Sequence, residues 1–127
     1  MCLSFDPRNS FWFEYLSLDA AYLHSLLWAA QTYFNSLVHG HPDARNTIFH
    51  EHQTISLLQK RLGDIQLATS DSTICVVTLL VMMTVLSGRL TTARKHLEGL
   101  HRIVTLRGGL RQLKTNTQLQ IKVCRYV

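Results

Sequence analysis

Four of the chain's seven histidines, His39, His41, His50 and His52, fall within a fourteen-residue stretch. Imidazoles at that density have the chemistry to hold Zn, Ni or Cu. The spacing weakens that assignment. Residues two apart on a helix point about 200° apart, so His50 and His52 converge on one ion only where the chain is not helical. The run His50-Glu51-His52-Gln53-Thr54 opens like a zincin helix but carries Thr54 where the second ligand belongs. The favoured assignment is four loop and helix-start histidines with no ligand, so neither a metal nor another cofactor is expected.

Cys2, Cys75 and Cys124 are far apart and odd in number, which suggests neither a disulfide framework nor a thiolate metal site and fits a reducing compartment. Cys75 and the Met82-Met83 pair sit in the most apolar stretch of the chain, where packing outweighs redox chemistry. There is no glycine-flanked serine elbow and no phosphate-binding glycine loop. Gly108-Gly109 follows a helical pattern, whereas a phosphate cradle precedes one. An enzyme is not expected. Arg107, just before the two glycines, is placed to pair with a carboxylate or with the last carbonyls of its helix. His96 and His101 lie at the apolar boundary of that helix, where satisfied imidazoles are the default.

The elements that must position these groups are helical. In residues 91–110, Ala93, Leu97, Leu100, Ile103, Val104 and Leu106 recur largely at helical spacing, and the two glycines close the pattern. Thr91 or Thr92 is the expected cap. Gly99, in mid-helix, costs about 1 kcal/mol against alanine, which suggests that another backbone passes close by. The apolar run 74–86, preceded by Ser70 and Asp71 and closed by Gly88, predicts a helix over 72–87 that is buried nearly all round and packed on this one; Val76, Val77, Val81 and Val85 would also permit a strand, but length and Asp71 as the cap favour the helix. Upstream, Asp19 caps a helix reaching residue 35 or beyond, with Tyr22, Leu23, Leu26, Leu27, Ala30, Tyr33, Phe34 and Leu37 on its apolar face and Gly40 and Pro42 as its stop. A helix over 46–67 follows, with a stripe of Ile48 or Phe49, His52, Ile55, Leu58, Leu62 and Ile65 and a weak point at Gly63. Downstream, Leu110 and Leu113 fold back on the glycine stop, and Asn116 or Thr117 starts a last helix through Leu119, Ile121, Val123 and Tyr126. The aromatic cluster Phe11, Trp12, Phe13 and Tyr15 is expected to dock on the core. The sum is an all-α domain over 1–127: about five stacked antiparallel helices, a partial α-hairpin array.

Charge is uneven along this array. Residues 1–88 hold four Lys or Arg against seven Asp or Glu, and residues 89–127 hold nine against Glu98 alone. That asymmetry marks an acidic partner or a pair of solvated helix faces, and the lack of interleaved aromatics favours the latter over nucleic acid. The longest apolar run is thirteen residues, about 20 Å as a helix, too short for a span of about 30 Å. The N-terminus lacks a secretory pattern, so an intracellular protein is expected.

The string His96-Leu97-Glu98-Gly99-Leu100-His101-Arg102-Ile103-Val104-Thr105-Leu106-Arg107-Gly108-Gly109-Leu110 resembles a segment of the fungal-specific transcription factor domain. That domain is the all-helical regulatory region C-terminal to a binuclear zinc-cluster DNA-binding domain. The looser match covers about residues 50–125. The resemblance makes His96, Gly99, Leu100, Arg102, Val104, Leu106, Arg107, Gly108, Gly109 and Leu110 a structural signature and none of them a ligand site. It implies a regulatory role in the nucleus through protein contacts or self-association, with no membrane and an unknown small-molecule effector. The family's zinc cluster needs six closely spaced cysteines, which are lacking, so direct nucleic-acid binding is not expected. The resembling domain is longer than 127 residues, which implies a fragment. The rival readings are a free-standing helical module that binds an acidic partner through its basic last third, and a degenerate remnant.

Overall fold

Ser70 and Asp71 precede an apolar run with no helix breaker, and the chain there is helical. The computed structural model describes residues 19–37, 44–113 and 117–126, and the elements among them are helices: α1 (Ala20–Leu37), α2 (Ala44–Arg61), α3 (Ile65–Ala68), α4 (Asp71–Leu86), α5 (Leu90–Leu106), a 3₁₀ turn (Leu110–Leu113) and α6 (Thr117–Cys124). The aromatic cluster at 11–15, Cys2, His39, His41, Gly40, Pro42 and Asn116 lie outside the described residues. Among the described residues there is no strand, and no helix is long and apolar enough to cross a membrane.

The long helices α1, α2, α4 and α5 alternate in direction. α1 packs on α2, α4 on α5, and α1 lies beside α4, so two α-hairpins share one core. α4 is enclosed by the others: eleven of its sixteen residues are buried, among them Ile74, Val76, Val77, Leu80 and Val81. Its threonines are tolerated there because each satisfies its hydroxyl within the helix, Thr78 Oγ1 donating to the Ile74 carbonyl and Thr84 Oγ1 to that of Leu80, both at 2.7 Å. Ser70 caps it, its Oγ accepting from the Thr73 amide at 3.3 Å.

Glycine terminates α4 and α5 in the same way. The Gly88 amide donates to the Val85 carbonyl and that of Arg89 to Thr84, while Gly108 donates to Thr105 and Gly109 to Val104, at 2.9–3.0 Å. This double bond pattern is the Schellman motif, and it requires the left-handed φ found at Gly88 (73°) and Gly108 (106°). Leu110 and Leu113 then turn back as expected, Leu113 fully buried and Leu110 half-buried against the core.

Several expectations are corrected. On α1 Tyr22 is buried and Leu26 packs against the core as expected, but Ala21, Ser25 and Trp28 complete the inward side, and Leu23, Leu27, Ala30, Tyr33 and Phe34 are exposed. The bonds of Asp19 to Arg61 and Ser72 and the burial of Tyr22 and Trp28 agree with that rotation, and Ser25 can be buried because its Oγ donates to the Tyr22 carbonyl. The single helix over 46–67 is two: α2 ends at Arg61, and Asp64 caps α3, accepting from the Gln66 amide at 2.9 Å. Past that break Leu62 and Ile65 leave the stripe and face solvent, as do Ile48, Phe49 and His52, and the buried residues of α2 are Thr54 and Leu58. α5 starts at Leu90 without a side-chain cap, because the chain reverses at Gly88 before Thr91 is reached. Leu106 is 58% exposed, lying on the outer side of the last turn. Gly99 has no backbone against it: a Cβ built there meets nothing within 4 Å.

Candidate functional site

The signature residues meet the rest of the fold at the first turn of α4. Arg107 Nη1 donates to the carboxylate of Asp71 and, at 3.2 Å, to the Thr69 carbonyl. One residue on, Ser72 Oγ donates to Asp19, and Asp19 also accepts from Arg61 and from the Tyr22 amide at 3.1 Å. Four helix termini, the starts of α1 and α4 and the ends of α2 and α5, are thereby clasped together. Burial alone would raise the Asp19 pKa, but the hydrogen bonds from Arg61, Ser72 and the Tyr22 amide, with the charge of Arg61, outweigh it and hold the carboxyl below its ordinary value. Asp71 at the N-terminus of α4 also complements the helix dipole.

A second polar group lies further along the stack. Arg89 Nη1 donates to Glu51 Oε1 at 2.8 Å, and the guanidinium sits 6.0 Å from the centre of the Trp28 ring. His96 stands beside this pair with Nε2 buried and without a hydrogen-bond partner, against the expectation of a satisfied boundary imidazole. Burial pushes its pKa down and the Arg89 charge adds to that, while Glu51 opposes both. His101 is exposed.

Of the four candidate metal histidines, His52 is exposed and His50 is half-buried, its Nδ1 2.9 Å from Nδ1 of His24 on α1. One ring of that pair must donate and the other accept. Among the described residues no group of three or more His, Cys, Asp or Glu side chains is placed to share an ion. Burial pushes the Cys75 thiol up to about 12, so it stays protonated. Sequence reasoning missed Asp19 as more than a cap, Asp71 as the partner of Arg107, and Trp28. Arg107 and Asp71 are 36 positions apart. A local pattern gives the type of each residue and not the pairing.

The assembly is thus a polar clasp, a glycine terminator and a hydrophobic centre. A family model described as the fungal specific transcription factor domain matches residues 1–124. The chain belongs to this family. The match takes in the N-terminal third, beyond the residues 50–125 on which the resemblance was read. No curated protein and no solved structure gives a significant match. The fungal specific transcription factor domain family is a regulatory, non-enzymatic one associated with transcription. Within this member of it, the stretch around Gly108-Gly109 ends one helix and ties it to the start of another.

Proposed function

We propose that this chain is a regulatory scaffold acting through protein contacts in the nucleus, with its signature residues serving structure and residues 1–127 forming one all-α unit without a DNA-binding module of its own. The observation that carries the contact role is the outer face of α1. Leu23, Leu27, Ala30 and Phe34 are exposed there, spaced four, three and four residues apart. That is the spacing of a seam that another helix fills, and contiguous apolar surface of this kind marks an interaction site. Basic residues contribute less to the reading, because Arg61, Arg89 and Arg107 are committed to internal ion pairs.

The test is sedimentation velocity of the full chain over a range of concentrations, beside a reporter assay with the chain fused to a heterologous DNA-binding module. Leu27→Glu with Phe34→Glu should abolish association and reporter output while leaving the circular dichroism spectrum unchanged. Unchanged behaviour of the double variant in both assays rejects the proposal. A second reading is favoured by the exposed Arg94, Lys95 and Arg102 on α5, which offer a basic face to an acidic partner. Such binding should weaken steeply between low and moderate salt.

A further inference from the structure

None of the eighteen residues of α1 is Asp, Glu, Lys or Arg. Along its outer seam Leu23 is 38% exposed, Leu27 41% and Phe34 58%, with Ala30 exposed between the last two. Two copies of the chain that meet at α1 therefore bring no like charges together in the seam, whereas two that met at the exposed Arg94, Lys95 and Arg102 of α5 would. An acidic partner finds no counter-charge on this helix. The order of sizes in the seam also fits its own reverse. Its four positions are symmetric about a point between Leu27 and Ala30, so an antiparallel copy sets Phe34 against Leu23 and Leu27 against Ala30, large against small at the middle. A parallel copy would set Ala30 on Ala30 and Phe34 on Phe34, a void one turn from an overfilled contact. The helix dipoles attract in the antiparallel arrangement and repel in the parallel one.

We propose that the occupant of this face is a second copy of the chain, bound α1 against antiparallel α1 about a two-fold axis that passes between Leu27 and Ala30. The inference rests on the contact role proposed for α1 and names its partner. Such an interface is isologous, each copy giving and receiving the same contacts, which is what a self-complementary face allows. Area sets the strength. The seam offers roughly 500 Å² per copy against the about 800 Å² per partner of a stable complex, so the dimer is a weak one that responds to concentration.

The test is oxidative cross-linking of the full chain, beside sedimentation equilibrium of the parent. Leu23→Cys and Phe34→Cys are made as separate variants in a background of Cys2→Ser and Cys124→Ser, with the buried Cys75 left in place. An antiparallel pair brings Leu23 of one copy to Phe34 of the other and keeps the two copies of Leu23 eleven residues, about 16 Å, apart along the seam, beyond the reach of a disulfide. An equal mixture of the two variants should give at least tenfold more disulfide dimer than either alone, and Leu27→Glu added to both should abolish that excess. The parent chain should sediment as a weak monomer–dimer equilibrium with no larger species. Cross-linking of each variant with itself and not in the mixture overturns the proposal, as does a parent chain that is monomeric at every concentration reached. If in that monomeric case Leu27→Glu with Phe34→Glu still silences the reporter, the contact role of α1 stands and a different protein fills the seam. Mixed cross-linking beside a reporter indifferent to the double variant supports the dimer and rejects the regulatory role.

Discussion

The guanidinium of Arg107, at the end of α5, holds the carboxylate of Asp71 at the start of α4, so that the last turn of one helix and the first turn of its antiparallel neighbour share one ion pair. Both side chains are about four-fifths withdrawn from solvent, which places the pair between an exposed bridge of little worth and a fully buried one. Arg107→Ala should destabilise the fold by about 1–3 kcal/mol, since the Asp71 carboxylate and the Thr69 carbonyl each lose a donor. In a double-mutant cycle with Asp71→Asn the two effects should be non-additive by about 1 kcal/mol in urea denaturation. Additive effects would mean that the pair contributes nothing.

The glycines of α5 should respond in opposite directions. Gly99→Ala enters open space in mid-helix and should raise stability by about 0.5–1 kcal/mol. Gly108→Ala puts a Cβ 2.8 Å from Gln112 Cγ and imposes a left-handed φ on an alanine, so it should lower stability by about 1–2 kcal/mol. Thermal melts of the two variants against the parent chain decide the sign of each.

Leu100 is fully buried against α4. Leu100→Ala should cost about 2–5 kcal/mol, whereas Leu106→Ala, six positions on and facing solvent, should cost under about 0.5. Comparable losses for the two would contradict the orientation of α5.

Acid should weaken the fold through its histidines. The pKa values of His96 and His24 are both held below 6.5 in the folded chain, by burial first and then by the neighbouring Arg89 and His50 respectively. The unfolded chain therefore binds more protons, and stability is fully present above about pH 6.5 and falls as pH drops through the window below it. His96→Leu removes one such group together with its unpartnered buried nitrogen. The difference in melting temperature between pH 7.5 and 5.5 should be smaller in this variant than in the parent.

Much of this architecture was legible in the chain. The cap at Asp19, the glycine stops at Gly88 and Gly108, and the burial of residues 74–86 follow from local chemistry that tertiary structure did not override, while the cap of α4 falls on Ser70, one residue before the expected Asp71. Which face of α1 turns inward did not. Its two apolar stripes are equally helical in spacing, and the one that turns inward agrees with Asp19 reaching Arg61 and Ser72, 42 and 53 residues away. The clasp was half-visible for the same reason: Arg107 advertised a need for an anion without naming it. His24 and His50, on different helices, gave no shared pattern at all.

The enclosure of α4 has a consequence for how the molecule opens. The amide protons of α1 and α5 can be reached by fraying of an outward turn, but those in the middle of α4 belong to a helix most of whose residues are buried by the others. Their exchange with deuterated solvent must wait for the whole stack to come apart, so their protection factors measure the global unfolding free energy, and any ligand or partner that tightens the stack should slow them by its full binding contribution.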